Sequence, residues 1–193
     1  MNFKTSTEKV KPNKLQYVLN RLLPNFIRIK ECREVVDDFN ARYDAISKTY
    51  LYVIERKVEN PLLIEVCWHP IFDFDIETFR NVSKLYVGNH CFDFFGSEEE
   101  KDGKILSIED VWVEEKGNYV LWRVKGRSFL RYQVRFMVGT AYEIAAGRTS
   151  IAEITSRLDG TNKTTVHHKA PASGLILEKV EYDFERSENL AKE

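Results

Sequence analysis

Apolar residues recur at two periods along these 193 residues, and the switches between periods mark out the elements. Leu15, Val18, Leu19, Leu22 and Leu23 fall at helical spacing and Pro24 ends the run, so residues 13–23 read as an amphipathic helix. Phe26-Ile27-Arg28-Ile29 alternates as a short strand does. Ser47 to Ile54 is rich in β-branched and aromatic residues and predicts a long strand, with Tyr50, Tyr52 and Ile54 on one face and Leu51 and Val53 on the other. Asn60-Pro61 breaks the pattern and is a candidate subdomain boundary. Beyond it lie an apolar stretch, Leu62 to Trp68, and a second helical pattern in Ile76, Phe79, Val82, Leu85 and Tyr86 that Gly88 stops. Ser97 to Gly103 reads as a charged surface loop. Ile105 to Glu114 and Tyr119 to Val124 flank Lys116-Gly117-Asn118, a strong hairpin signal. Phe129 to Ala146 predicts the longest helix, with Leu130, Val134, Met137, Ala141, Ile144 and Ala145 as its apolar stripe. On that reading Arg131 and Arg135 sit together on its flank, and Gly147 caps it. Ile151 to Leu158 is a short helix, Leu175 to Tyr182 a closing strand, and the residues from Arg186 a tail.

Helices and strands are interspersed, with hairpins in place of strict β-α-β order. That pattern predicts an α+β fold: a mostly antiparallel mixed sheet flanked by helices. An apolar content of 43% excludes a disordered chain, and the length suits one large domain or two small ones. No apolar run approaches the roughly 18 residues of a membrane span. The stretch Met1-Asn2-Phe3-Lys4-Thr5 lacks the apolar region of a signal peptide. Cys32, Cys67 and Cys91 are odd in number and far apart, which supplies neither a disulfide framework nor a metal knuckle. The expected setting is soluble, reducing and cytoplasmic, with no membrane partner.

The net charge of -1 hides an uneven distribution. Between Asp73 and Glu115 twelve acids face Arg80, Lys84, Lys101 and Lys104; between Tyr119 and Arg148 a lone Glu143 faces Arg123, Lys125, Arg127, Arg131, Arg135 and Arg148. A basic stretch of this kind can hold a polyanion on a neutral protein. His69, His90, His167 and His168 show no metal-ligand spacing, and phosphate-loop, dinucleotide and nucleophile-elbow signatures do not occur in the sequence. What remains is an interleaving of cations with aromatics. Phe39-Asn40-Ala41-Arg42-Tyr43 is followed by Lys48-Thr49-Tyr50-Leu51-Tyr52, a composition that holds phosphates while an unpaired base stacks. The same tyrosines also suit cross-strand packing, and Arg131 and Arg135 also suit snorkelling from a buried helix.

Four segments together resemble the tRNA pseudouridine synthase TruA family. Residues 39–45 with 48–52 resemble its F-x-A-R-[FY]-x-A…[KR]-x-Y-x-Y motif, and Gly88-Asn89-His90-Cys91-Phe92 resembles G-x-H-D-F. Residues 128–139, Ser-Phe-Leu-Arg-Tyr-Gln-Val-Arg-Phe-Met-Val-Gly, resemble its F-L-x-x-M-V-R-x-M-V-G helix. Residues 170–182 resemble its closing A-P-A-x-G-L-x-L-x-x-V-x-Y. The matches fall in family order over residues 2–183. The resemblance implies a pseudouridine synthase-like fold and the isomerisation of uridine to pseudouridine at positions 38–40 of the tRNA anticodon arm, without cofactor or metal, by a homodimer. It implies that Tyr50 packs on the flipped uracil and that Arg135 pairs with the nucleophilic aspartate and keeps it ionised. It places Arg42, Lys48, Arg127 and Arg131 against RNA.

The sequence departs from the pattern in four places. The family's nucleophile lies in G-R-T-D-x-G-V-H, which does not occur in this sequence. Residues 1–5 resemble the stretch that follows it. Cys91 stands at the Asp of G-x-H-D-F and Gln133 at the Met of M-V-R, while Lys104-Ile105 stands where the family often has R-T-I. The resulting expectation divides the chain into residues 1–58, the remnant of an N-terminal subdomain (a helix plus two strands, with part of that subdomain missing), residues 59–185, the C-terminal synthase subdomain, and a tail, 186–193. On that expectation the chain is inactive alone and its partners are tRNA, a second copy and a separately supplied N-terminal half; the alternatives are a non-catalytic tRNA-binding remnant and a poorly folding fragment.

Overall fold

The computed structural model describes residues 1–5, 11–57, 61–97, 103, 105–166 and 168–184. The chain divides into two compact units, Met1–Ala45 with Tyr182–Glu193, and Ile46–Glu181. The charged loop expected at Ser97 to Gly103 and the tail from Arg186 lie almost wholly outside the described residues.

In the first unit Pro12 opens helix α1 (Pro12–Leu22), where its missing N–H removes no helical bond. The helix is amphipathic as expected, yet none of its residues is buried. Phe26 to Ile29, expected as a strand, forms none. The reason is local: the backbone groups a neighbouring strand would pair are taken by α1 side chains. Asn20 Oδ1 accepts from Ile29 N–H at 2.8 Å, Asn20 Nδ2 donates to Ile29 C=O at 2.9 Å, and Gln16 Nε2 donates to Lys30 C=O at 2.6 Å. Elsewhere in this unit the Asn2 side chain clips Phe39 C=O and Ala41 N–H, and the Tyr182 hydroxyl donates to Ala41 C=O at 2.7 Å.

The second unit is built on a sheet of order β2-β3-β4-β1-β5, from β1 (Ala45–Glu55), β2 (Gly88–Cys91), β3 (Ile105–Lys116), β4 (Tyr119–Gly126) and β5 (Leu175–Tyr182). The pairs β2–β3, β3–β4 and β1–β4 are antiparallel. Val53 N–H donates to Gly174 C=O while Ser47 meets Glu181, so β5 also runs against β1. The predicted hairpin is present, with Gly117-Asn118 as a two-residue turn, and Glu109 is the extra residue where the β3–β4 register shifts.

Alternation decides which face is core. In β4, Val120, Trp122 and Val124 are buried while Leu121, Arg123 and Lys125 point the other way. Helices α2 (Ile76–Lys84), α3 (Gln133–Ala145) and α4 (Ala152–Leu158) accompany the sheet, and the core joins β1 and β4 residues to Phe79, Val82, Val134, Met137 and Ala141. Asp75 caps α2 by accepting from Thr78 N–H at 2.7 Å, and its own N–H donates to Ala145 C=O, tying the start of α2 to the end of α3. The Tyr86 hydroxyl donates to Met137 C=O at 2.9 Å inside the core. On the opposite face Arg123 lies between Glu114 and Glu178, and Lys125 between Glu109 and Glu181. The observed architecture is the α+β, antiparallel, helix-flanked fold expected from the pattern.

The buried Trp122 indole N–H donates to Ser83 Oγ at 2.9 Å, and Ser83 Oγ donates to Phe79 C=O at 2.7 Å. Ser83→Ala leaves the indole donor unsatisfied, so urea unfolding should show a loss of about 1–3 kcal/mol. Hydrogen bonds from Lys125, Lys179 and Ser47 lower the Glu181 carboxyl from its usual 4.5 to about 2. Its folded-state value is depressed, so this contribution is complete above about pH 4.5 and disappears as pH falls toward 2. The stability difference between the native chain and Glu181→Gln should therefore narrow across that window in acid urea titrations.

Candidate active site

Tyr50 lies on β1 opposite Val124, two residues from Tyr52 on the same strand face. It is half-buried, its ring meeting Phe129 edge-on at 5.2 Å, and burial pushes its phenol above the usual range. Lys48 shares this face one step along the strand and is paired with Gly126, the residue before Arg127. The segment between β4 and α3 thus carries Arg127 and Phe129 past the end of the sheet that presents Lys48 and Tyr50.

Arg131 is a correction. Phe129 to Tyr132 are not helical, and α3 begins at Gln133. Tyr132 takes φ 69°, the left-handed region, which in a residue with a Cβ costs roughly 1–2 kcal/mol. Gln133 secures this turn: its Oε1 accepts from Leu130 N–H at 2.8 Å while its own N–H donates to Leu130 C=O. Arg131 therefore projects from a turn and does not share a helix flank with Arg135. It nevertheless stays beside it, because both guanidinium groups lie over the Tyr132 ring, at 4.9 Å and 5.5 Å.

Arg135 is in the first turn of α3. Its Nε donates to Ala170 C=O at 2.7 Å, and Ala170 N–H donates back to Arg135 C=O. Among the described residues, Arg135 is in no ion pair and its two terminal nitrogens have no hydrogen-bond partner. The next residue of the crossing segment, Pro171, accepts from the Tyr52 hydroxyl at 2.6 Å. Burial raises the Tyr52 phenol, an effect the Arg135 charge partly opposes, so that charge is felt on the β1 face. Tyr50 and Arg135 are thereby joined through Tyr52 and residues 170–171.

Two glycines make this crossing possible. A Cβ on Gly139 would stand 2.0 Å from His168 C=O oxygen and 2.8 Å from Ala170 N. A Cβ on Gly174 would stand 2.6 Å from Val53 C=O oxygen and 2.7 Å from the Tyr52 ring. A glycine inside an otherwise apolar helix is a signal that could have marked the first approach. Phe129 is the opening residue of the F-L motif, whereas Tyr132 and Lys169 carry no sequence signal that separates them from ordinary surface residues. Arg42 belongs to the first unit, where it is exposed with its guanidinium 5.4 Å over Tyr43. Among the described residues there is no group of three His, Cys, Asp or Glu side chains that could hold a metal, and no helix is long and apolar enough to cross a membrane.

The crossing segment thus braces Arg135, which keeps two donors open, and meets Tyr52, the strand neighbour of half-buried Tyr50. Residues 82–183 match the family model described as tRNA pseudouridine synthase. The chain is 33% identical over 183 residues to tRNA pseudouridine synthase A of Thermoanaerobacter sp. (strain X514), covering 94% of this chain and 75% of that protein. It is 34% identical over 180 residues to the Aquifex aeolicus (strain VF5) protein of that name, covering 93% and 73%. To tRNA pseudouridine synthase A 2 of Bacillus anthracis it is 33% identical over 179 residues, covering 92% and 73%. The chain belongs to the tRNA pseudouridine synthase A family. In this family member the β1 face, the Gly126–Tyr132 turn and the segment at residues 168–174 form the candidate site.

Gly139→Ala tests that arrangement. Displacing backbone at residues 168–170 should cost about 1–3 kcal/mol in urea unfolding. It should also move Arg135 away from Ala170, which a structure of the variant would show directly.

Proposed function

We propose that this synthase A family member acts on uridines of the tRNA anticodon arm, as its resemblance implies, with Tyr50 and Arg135 serving a nucleophilic aspartate that lies outside these 193 residues. The observation that carries this reading is Arg135. It is braced at Nε by Ala170 and has two terminal donors open, the disposition a guanidinium needs to take a carboxylate edge-on.

The chemistry assigns work to each group. Conversion to pseudouridine breaks the N1–C1′ bond and forms a C5–C1′ bond, moving a hydrogen from C5 with no net oxidation. The target base must leave its stack, costing a few kcal/mol that phosphate contacts and stacking offset. Tyr50 supplies an apolar ring for the uracil, and its raised phenol stays neutral beside it. Arg135 keeps the aspartate ionised, as an opposite charge within contact distance does. Arg42, Lys48, Arg127 and Arg131 meet the RNA backbone, and the working form is a cytoplasmic homodimer. A second reading, a tRNA-binding module without turnover, is favoured by one fact: the motif holding the nucleophile does not occur in this sequence.

Release of tritium from [5-³H]uridine-labelled tRNA separates the two. The 193-residue chain alone should bind tRNA and release nothing. Adding a polypeptide that carries the G-R-T-D-x-G-V-H segment should restore release, and Arg135→Ala should then lower the rate on the order of 100-fold. Turnover by the chain alone would place the nucleophile among these residues. Tight binding with no release under any complementation would leave the binding-module reading in its place.

A further inference from the structure

The Tyr52 hydroxyl is a buried polar group that no step of the chemistry has used. Tyr52 stands on the core face of β1, fully buried, with the Trp68 ring edge-on at 6.0 Å. Packing asks only for the ring, which a phenylalanine would also supply. The hydroxyl reaches residues 170–171 and donates to Pro171 C=O at 2.6 Å. Pro171 itself is exposed, so water can take over that carbonyl. A phenylalanine at 52 with a hydrated Pro171 would leave no polar group unsatisfied. What the bond adds is a fixed place for Pro171.

Pro171 passes that constraint to its neighbour. Its ring locks φ at about −65° and disfavours the helical region for Ala170. Between Pro171 C=O and the Ala170–Pro171 peptide one torsion stays free, the ψ of Pro171. Two bonds limit it from the far side: Val53 N–H donates to Gly174 C=O at 2.9 Å, and Leu175 N–H donates to Ala172 C=O at 3.0 Å. The plane of the Ala170–Pro171 peptide decides where Ala170 C=O points. Arg135 Nε donates to this carbonyl at 2.7 Å, and buried Ala170 donates its N–H back to Arg135 C=O at 3.1 Å. A guanidinium is planar, so fixing Nε at one carbonyl gives its terminal nitrogens a set direction. Two parallel N–H···O bonds to a carboxylate form only when both groups share that plane. The Arg135 charge also opposes the rise that burial gives the Tyr52 phenol, so the two groups lie within electrostatic reach.

We propose that Tyr52 is a positioning residue for the isomerisation: through Pro171, its hydroxyl sets the plane in which the Arg135 guanidinium meets the nucleophilic carboxylate. This rests on the synthase reading above and extends it to the second tyrosine of the strand, which is fully buried and acts through Arg135.

The test is a double-mutant cycle on the full chain, complemented by the polypeptide that carries the G-R-T-D-x-G-V-H segment and read by tritium release. Tyr52→Phe should lower kcat roughly tenfold and leave KM for tRNA within about twofold, because a misaimed guanidinium affects the reacting groups and not the hold on RNA. On an Arg135→Ala background the same substitution should cost nothing further, since its effect passes through Arg135. In the ¹⁵N-labelled chain alone, the Arg135 Nε–H proton should exchange with water faster in Tyr52→Phe than in the native protein. Should Tyr52→Phe fail to give a cooperative thermal melt, Pro171→Gly takes its place: it keeps the carbonyl but frees φ, and it should lower kcat at unchanged KM in the same way. Native kcat would overturn the positioning role while leaving the synthase reading intact. A fall in kcat that adds to that of Arg135→Ala, or that comes with unchanged Nε–H exchange, would overturn it as well. A native chain that releases no tritium with the complementing polypeptide would overturn both readings.

Discussion

Everything in the candidate site depends on residues 168–174 lying flat between α3 and β1. This segment has no regular structure of its own, and its backbone is fixed at both ends by close approach. Gly139 admits the backbone at 168–170 against the helix, and Gly174 admits the turn before β5 against Tyr52. Between those points Ala170 exchanges two hydrogen bonds with Arg135, and Pro171 receives the Tyr52 hydroxyl. One strip of chain therefore sets the pose of an arginine on a helix and a tyrosine on a strand together. A shift of this strip would uncouple the charge at Arg135 from the β1 face, without touching either side chain directly.

The electrostatics of the basic stretch follow from which face each residue occupies. Charge counting grouped Arg123, Lys125, Arg127, Arg131, Arg135 and Arg148 in one basic stretch of a kind that can hold a polyanion. Alternation in β4 instead sends Arg123 and Lys125 to the outer sheet face, where Glu114, Glu178, Glu109 and Glu181 pair with them. Arg148 is paired with Glu143. What stays outside any ion pair among the described residues is Arg127 and Arg135, joined by Lys169 from elsewhere in the sequence. Among the described residues, the part of that stretch outside ion pairs is thus narrower than the sequence implied. A focused charge orients a bound polyanion more sharply than a diffuse one.

Much of this was legible in the residues. The period-two runs gave β1, β3 and β4, because each has one face on a common core and the hydrophobic pattern records that directly; β5 forms where its alternation predicts, though none of its residues is fully buried. The shared strand face of Tyr50 and Tyr52 followed from the same rule. Phe26 to Ile29 failed because alternation reports a face, not a partner, and here Asn20 and Gln16 satisfy the backbone before a strand can. The start of α3 failed for a related reason: Leu130 continues the apolar stripe in phase, so periodicity alone cannot register a turn held by one side-chain bond. Lys169 was invisible because its place beside Tyr132 arises from tertiary folding of a segment with no periodic pattern.

The turn into α3 also explains a departure from the family motif. Gln133 stands where the motif has Met, a substitution that would ordinarily bury an amide at a cost. Here the residue is fully buried, its Oε1 accepts from Leu130 N–H, and its Nε2 lies 3.8 Å from Met137 Sδ. A thioether could fill the same volume but could accept only a weak bond from Leu130 N–H. The amide therefore closes a turn in which Tyr132 is held left-handed, and that turn carries Arg131 over the ring. The exchange of Met for Gln at 133 and the cation cluster around Tyr132 are in this sense one feature. The first supplies the local bond that lets the strained residue persist, and the second is what the strained residue holds in place.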